Sequence, residues 1–119
     1  MGIYKCEDLD VYRLSFESAM DIFDASKRFP IEERYSLTDQ VRRSSRSIAA
    51  NIREGFAKKR YKDVFLRHLN DALGSAEETI TWLDFSYRCC YLEQERYHEL
   101  EKVYKRIGGM VYGLARNWK

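Results

Sequence analysis

The stretch 36-SLTDQVRRSSRSIAANIREGFAKKR-60 decides the fold. Leu37, Val41, Ser45, Ile48, Ile52 and Phe56 recur at steps of three and four, the period of one helix face. Ser36 and Asp39 have the spacing of a capping box, which predicts a helix start at Ser36. Ser44, Ser47, Ala49 and Ala50 are small enough to let a neighbouring helix approach closely. Gly55 falls inside the pattern, where glycine costs about 1 kcal/mol relative to alanine. A packing or bending role is the expected reason for it.

Working outward, the chain before this helix predicts another from about Asp8 to Lys27. Its stripe is Leu9, Tyr12, Phe16, Ala19/Met20 and Phe23, with Asp8 as N-cap. Pro30 ends it, because proline pushes Phe29 out of the helical region, and residues 29–35 form a loop. After the opening stretch, Ala57 to Lys62 holds no proline or glycine to mark a break. One helix from Ser36 to Cys90 would exceed ordinary globular lengths, so a turn is expected between Lys58 and Lys62, with Asp63 the nearest cap. The third helix, ending near Cys90, carries Phe65, Leu69, Ala72/Leu73, Ala76, Ile80, Leu83 and Tyr87. The fourth, from about Glu93 to Asn117, carries Tyr97, Leu100, Tyr104, Ile107, Val111, Leu114 and Trp118, a coiled-coil-like seam. Four such stripes bury one another most simply in an all-α, antiparallel up-down-up-down four-helix bundle, one domain over residues 1–119.

Composition narrows the function. The chain has 119 residues, 34% of them charged and 14% aromatic, and no apolar run approaches the roughly 20 residues that cross a bilayer. No membrane partner is expected. The opening MGIYKCEDLD lacks a signal-peptide core, so the expected location is cytoplasmic. Cys6, Cys89 and Cys90 offer no disulfide framework and are expected to act as small apolar packers. His68 and His98 have no ligand spacing and read as surface residues, so neither a metal nor a cofactor is expected.

Charge is segregated. From Arg34 to His68 ten basic residues face three acids, a local net of +7 inside a chain whose total is +2. On an ideal helix Arg42, Arg46, Arg53 and Arg60 fall within about 40° of one another along roughly 27 Å. Arginines in a line suit phosphate oxygens. Arg42, Arg43, Arg46, Arg53, Lys58, Lys59, Arg60 and Lys62 are therefore the candidate nucleic-acid contacts, for RNA or DNA. The competing reading pairs the stripe with acids of its own or a neighbouring subunit, such as Glu77, Glu78, Glu99 and Glu101, leaving a protein-only adaptor whose stripe is used up in subunit contacts. The residues alone weigh these two evenly. Val11, Trp82, Phe85, Tyr91 and Tyr112 lie off the four stripes; subunit contacts are the preferred reading, a wide stripe of a helix buried on two sides the alternative.

Catalytic chemistry is thin, and no enzyme is expected. Asn51 and Glu54 share a helix face beside Gly55, where a buried glutamate of raised pKa would serve as acid or base. A structural tie from these residues to another helix or subunit is the expectation preferred here. Ser44, Ser45 and Ser47 have no histidine within helical reach, and no Glu-x-x-His pattern points to a di-iron bundle.

Phe29-Pro30, Glu33, Tyr35, Leu37, Gln40, Arg42-Arg43, Ser47-Ile48, Asn51-Ile52 and Glu54-Gly55 form a pattern of fixed spacings. Phe65-Leu66, Leu69, Ala72-Leu73-Gly74-Ser75 and Glu78 continue it. With the length and helix order, this pattern resembles the four-helix-bundle family of 23S rRNA intervening-sequence proteins. Arg60-Tyr61-Lys62 departs from it, where that family often has a serine-type cap. The resemblance implies a bacterial protein assembled as a homopentameric ring. Ser47, Asn51, Glu54 and Gly55, which help carry the resemblance, read as packing and assembly residues, beside the off-stripe Trp82, Phe85 and Tyr112. The resemblance implies no enzymatic activity and no cofactor. Some members of that family are encoded within insertions of ribosomal RNA genes. A related branch assists diversity-generating reverse transcriptases through a basic surface, so a reverse transcriptase is a further implied partner.

Overall fold

The computed structural model describes residues 2–119. A short 3-10 turn at Cys6–Asp8 leads into α1, Asp10–Ser26. A second 3-10 turn at Ile31–Glu33 precedes α2, Leu37–Ala57, followed by α3, Lys62–Arg88, and α4, Gln94–Asn117. Among the described residues each helix packs on its two neighbours in the cycle and not on the diagonal one. That is the square cross-section of an up-down-up-down antiparallel bundle.

Three polar rungs show the direction of the α2–α3 pair. The Thr79 hydroxyl donates to Ser44 at 2.9 Å, the Ser47 and Ser75 hydroxyls meet at 2.9 Å, and Asn51 Oδ1 meets His68 Nδ1 at 3.2 Å. Residue numbers rise on α2 as they fall on α3, so the helices run antiparallel. Small side chains at these rungs let the backbones approach and leave few buried hydroxyls unpaired. One turn further on, a Cβ at Gly55 would stand 2.6 Å from His68 Cβ and 3.0 Å from the Phe65 ring. Gly55 is thus a packing device between α2 and α3.

The expected stripe of α2 is buried along its whole length. That of α1 is not. Val11, Ser15, Ser18, Ala19, Ile22 and Ser26 face the core, while Phe16 and Met20 are 53% and 52% exposed and Tyr12 and Phe23 half-buried. The helix is turned by about one residue, or about 100°, from the expected face. Three serines disguised the buried face as polar. Ser26 is satisfied locally, donating to the Phe23 carbonyl at 3.1 Å and accepting from Arg42 Nε at 2.8 Å. Val11 therefore belongs to the core rather than to a subunit contact.

The helix ends also differ from expectation. Asp8 caps the 3-10 turn instead of α1, accepting from the Tyr4 and Lys5 amides at 2.9 and 3.0 Å. Ser36 makes no side-chain cap. Glu33 does that work from the preceding turn, accepting from the Ser36 hydroxyl at 2.5 Å and the Leu37 amide at 3.3 Å. Asp63 lies in the first turn of α3, where its charge suits the helix dipole, without bonding a free amide.

The α2–α3 reversal falls within Lys58–Tyr61, inside the expected window. Its cause is the core. Phe56 and Phe65 flank the turn and pack edge-to-face at 6.2 Å, with Trp118 from the end of α4 edge-on to both. Burying both phenylalanines folds the chain back on itself.

At the far end α3 closes through Cys90, whose φ is 65°. The Tyr91 amide bonds the Ser86 carbonyl at 2.8 Å and the Cys90 amide bonds Tyr87 at 2.9 Å, a Schellman closure. Only Cys6 is the buried packer expected; Cys89 and Cys90 are exposed.

Candidate nucleic-acid interface

The candidate cations divide by what holds them. Arg42 is half-buried, its Nε bonded to Ser26 and its guanidinium 4.7 Å from the Phe23 ring centre. Arg53 Nη1 donates to Tyr12 Oη at 3.3 Å and to Glu7 Oε2 at 3.1 Å. These two partners hold its guanidinium above the usual arginine range, and its own backbone and Arg53 hold Glu7 below the usual glutamate range. Lys58 bonds Glu54 at 2.9 Å along the same helix. These three cations already have partners within the chain.

The others are not. Arg43, Arg46, Lys59, Arg60 and Lys62 are exposed, and among the described residues none has a carboxylate within ion-pair distance. Arg46 leans toward the Phe23 ring at 5.7 Å, Lys59 over Phe56 at 4.3 Å and Arg60 over Tyr61 at 5.3 Å. Such contacts orient a cation without neutralising it. Arg60 leaves the expected line, because α2 ends at Ala57 and places it in the turn.

Among the described residues none of the four anticipated acids pairs with an α2 cation, and three of them are occupied elsewhere. Glu78 accepts from Trp82 Nε1 at 3.1 Å, Glu99 lies 3.8 Å from Arg96, and Glu101 takes Tyr97 at 3.0 Å and Lys105 at 3.7 Å. The acid that does reach an α2 arginine is Glu7, forty-six residues away, which no local spacing signals.

Asn51 and Glu54 do not make an acid–base pair. Asn51 Nδ2 donates to the Ser47 carbonyl and hydroxyl at 3.0 and 3.1 Å while Oδ1 faces His68. Glu54 is exposed, and Lys58, with His68 3.9 Å away, holds its carboxyl below the usual glutamate range. A general base buried at neutral pH needs the opposite shift. His68, read from sequence as a surface residue, is a seam residue at 16% side-chain exposure, whereas His98 is exposed. No group of three His, Cys, Asp or Glu able to hold a metal comes together among the described residues, and no helix is long and apolar enough to cross a membrane.

Residues 7–113 match the family model of the 23S rRNA-intervening sequence protein. The chain belongs to that family. A crystal structure from Bacteroides thetaiotaomicron VPI-5482, described as a protein with unknown function from the S23 ribosomal protein family, is similar to it. It shares 30% identity over 90% of this chain and 99% of that chain, with a TM-score of 0.81. No curated protein matches.

In this member of the 23S rRNA-intervening sequence protein family, Ser47, Asn51 and Gly55 serve the α2–α3 seam within one chain. Tyr91 is also used internally, half-buried against Phe29 at 5.5 Å and bonded to Glu33. Phe85 and Tyr112 remain exposed, with half-buried Trp82 5.9 Å from Phe85.

Proposed function

We propose that this protein is a non-enzymatic, homo-oligomeric helical bundle, pentameric as the family resemblance implies, that binds the backbone of RNA or DNA. Arg43, Arg46, Lys59, Arg60 and Lys62 make the contacts. The observation that supports this is their exposure without any carboxylate partner among the described residues. Five unneutralised cations on α2, its following turn and the first residue of α3 attract phosphates through counterion release, with little regard to sequence. Repetition of the patch in an oligomer raises its avidity without new contacts.

The test is affinity for RNA and for DNA as salt is raised. A steep log–log decline is expected, and Arg43→Glu/Arg60→Glu/Lys62→Glu, all at exposed sites, should weaken binding at least tenfold in a still-folded protein. No binding at low salt, or an indifferent triple variant, overturns the proposal. The exposed Phe85 and Tyr112 favour a second reading, a protein-only adaptor. Protein partners that co-purify without nucleic acid would support that one.

A further inference from the structure

We infer that the α1–α2 seam is a stacking site for unpaired nucleobases, which makes single-stranded RNA or DNA the ligand class. This rests on the nucleic-acid reading above and narrows it. Because α1 is turned from its expected face, the seam holds a groove of about 320 Å³ whose apolar lining includes Tyr12, Phe16 and Met20, with Arg46 and Arg53 also lining it. Phe16 and Met20 are each about half exposed although the bundle has a complete core without them. Beyond Phe23 a second groove, of about 410 Å³, continues the seam and brings Lys27, Arg34 and Arg42 beside Phe29 and exposed Ile31.

Cations and aromatic rings thus alternate along the seam. Arg53 stands 5.6 Å from the Tyr12 ring, and Arg42 and Arg46, with Lys27 that also lies 3.4 Å from Asp24, gather around Phe23. From Arg42 to Arg53 this extends about 16 Å. Proteins that hold single strands pair a cationic track with rings on which bases stack, tolerating any sequence. Only unpaired bases present a free face to a ring set in a groove, so a duplex touches the cations and not Phe16. Arg53 keeps donors for a phosphate, since Glu7 and Tyr12 take only Nη1 of its guanidinium fork.

The experiment measures affinities for oligo(dT), oligo(U) and a mixed-sequence duplex of equal length, using the intact protein, Phe16→Ala and Phe16→Trp. Phe16 is exposed, so both variants should fold. Phe16→Ala should lose about tenfold for both single strands and less than twofold for the duplex. Phe16→Trp should retain binding, and its added fluorescence should be quenched by the single strands alone. Equal effects of Phe16→Ala on all three ligands, or none, overturn the stacking site while leaving the backbone reading intact. Loss of binding to every ligand in the intact protein overturns both.

Discussion

The Tyr91 hydroxyl donates to Glu33 Oε2 at 2.9 Å, joining the α3–α4 turn to the α1–α2 loop across 58 residues of chain. Glu33 also caps α2 through Ser36 and Leu37, so one carboxylate fastens three parts of the same bundle end. The Ser36 hydroxyl, then Tyr91 and the Leu37 amide, hold that carboxyl below the usual glutamate range, and Glu33 pushes the Tyr91 phenol up to about 12.

This gives a pH prediction with a definite sign. A carboxyl whose pKa is lowered on folding contributes stability above its unfolded pKa and loses it as pH falls through the folded value. Glu33→Gln should therefore lower Tm at pH 7, and the difference from the parent protein should shrink as pH drops below the ordinary glutamate range. A Tm difference that stays constant down to acid pH would refute the role given to the charge. Tyr91→Phe in combination with Glu33→Gln should lower Tm by less than the sum of the single losses.

Cys90 occupies the left-handed position that ends α3, a conformation costing about 1–2 kcal/mol for an ordinary residue and little for glycine. Its side chain is exposed, so Cys90→Gly should stabilise the protein by about 1 kcal/mol and raise Tm by about 4 °C. Denaturant melts showing no gain would mean that the thiol makes a compensating contact.

Two helical glycines should respond with opposite signs. Gly55→Ala forces a methyl to within 2.6 Å of His68 Cβ. Overpacking of about 1–3 kcal/mol then outweighs a propensity gain of about 1 kcal/mol, for a net loss. Gly109→Ala meets no atom within 4 Å and should gain about 1 kcal/mol. Equilibrium unfolding of both variants checks the pair, and a stabilising Gly55→Ala would disprove the close α2–α3 approach.

Tyr104 is fully buried, burial pushes its hydroxyl pKa up, and the hydroxyl has no hydrogen-bond partner among the described residues. Nearby Ser45 instead donates to the Arg42 carbonyl at 3.0 Å. Removing an unpaired buried hydroxyl should help, so Tyr104→Phe is expected to stabilise by about 1 kcal/mol in urea unfolding. A loss of that size would reveal a working bond to Ser45.

The α2 arginines should also separate by role. Arg42→Glu breaks the Ser26 bond and the Phe23 contact and places a charge in a half-buried site, so it should lower Tm. Arg43→Glu, at an exposed site, should leave Tm nearly unchanged and act only on nucleic-acid affinity. Equal thermal effects would erase the distinction between structural and free cations.

By itself the sequence determined the helices and their order. Periodicity, Pro30 and the length limit on one helix are local signals, and α2 in particular buried the stripe read from its opening stretch. Tertiary structure decided the rest, because each remaining feature depends on a partner distant in the chain. The face of α1 was settled by α2 and α4 accepting three serines, which look polar until helices press against them. The α2–α3 turn, without glycine or proline, was placed by Phe56 and Phe65 entering one core. The fate of each arginine followed from Ser26, Phe23 and Glu7, whose positions beside α2 only the packed bundle supplies. A helical wheel places a charge on a face; only the fold determines whether a carboxylate, a ring or solvent lies opposite.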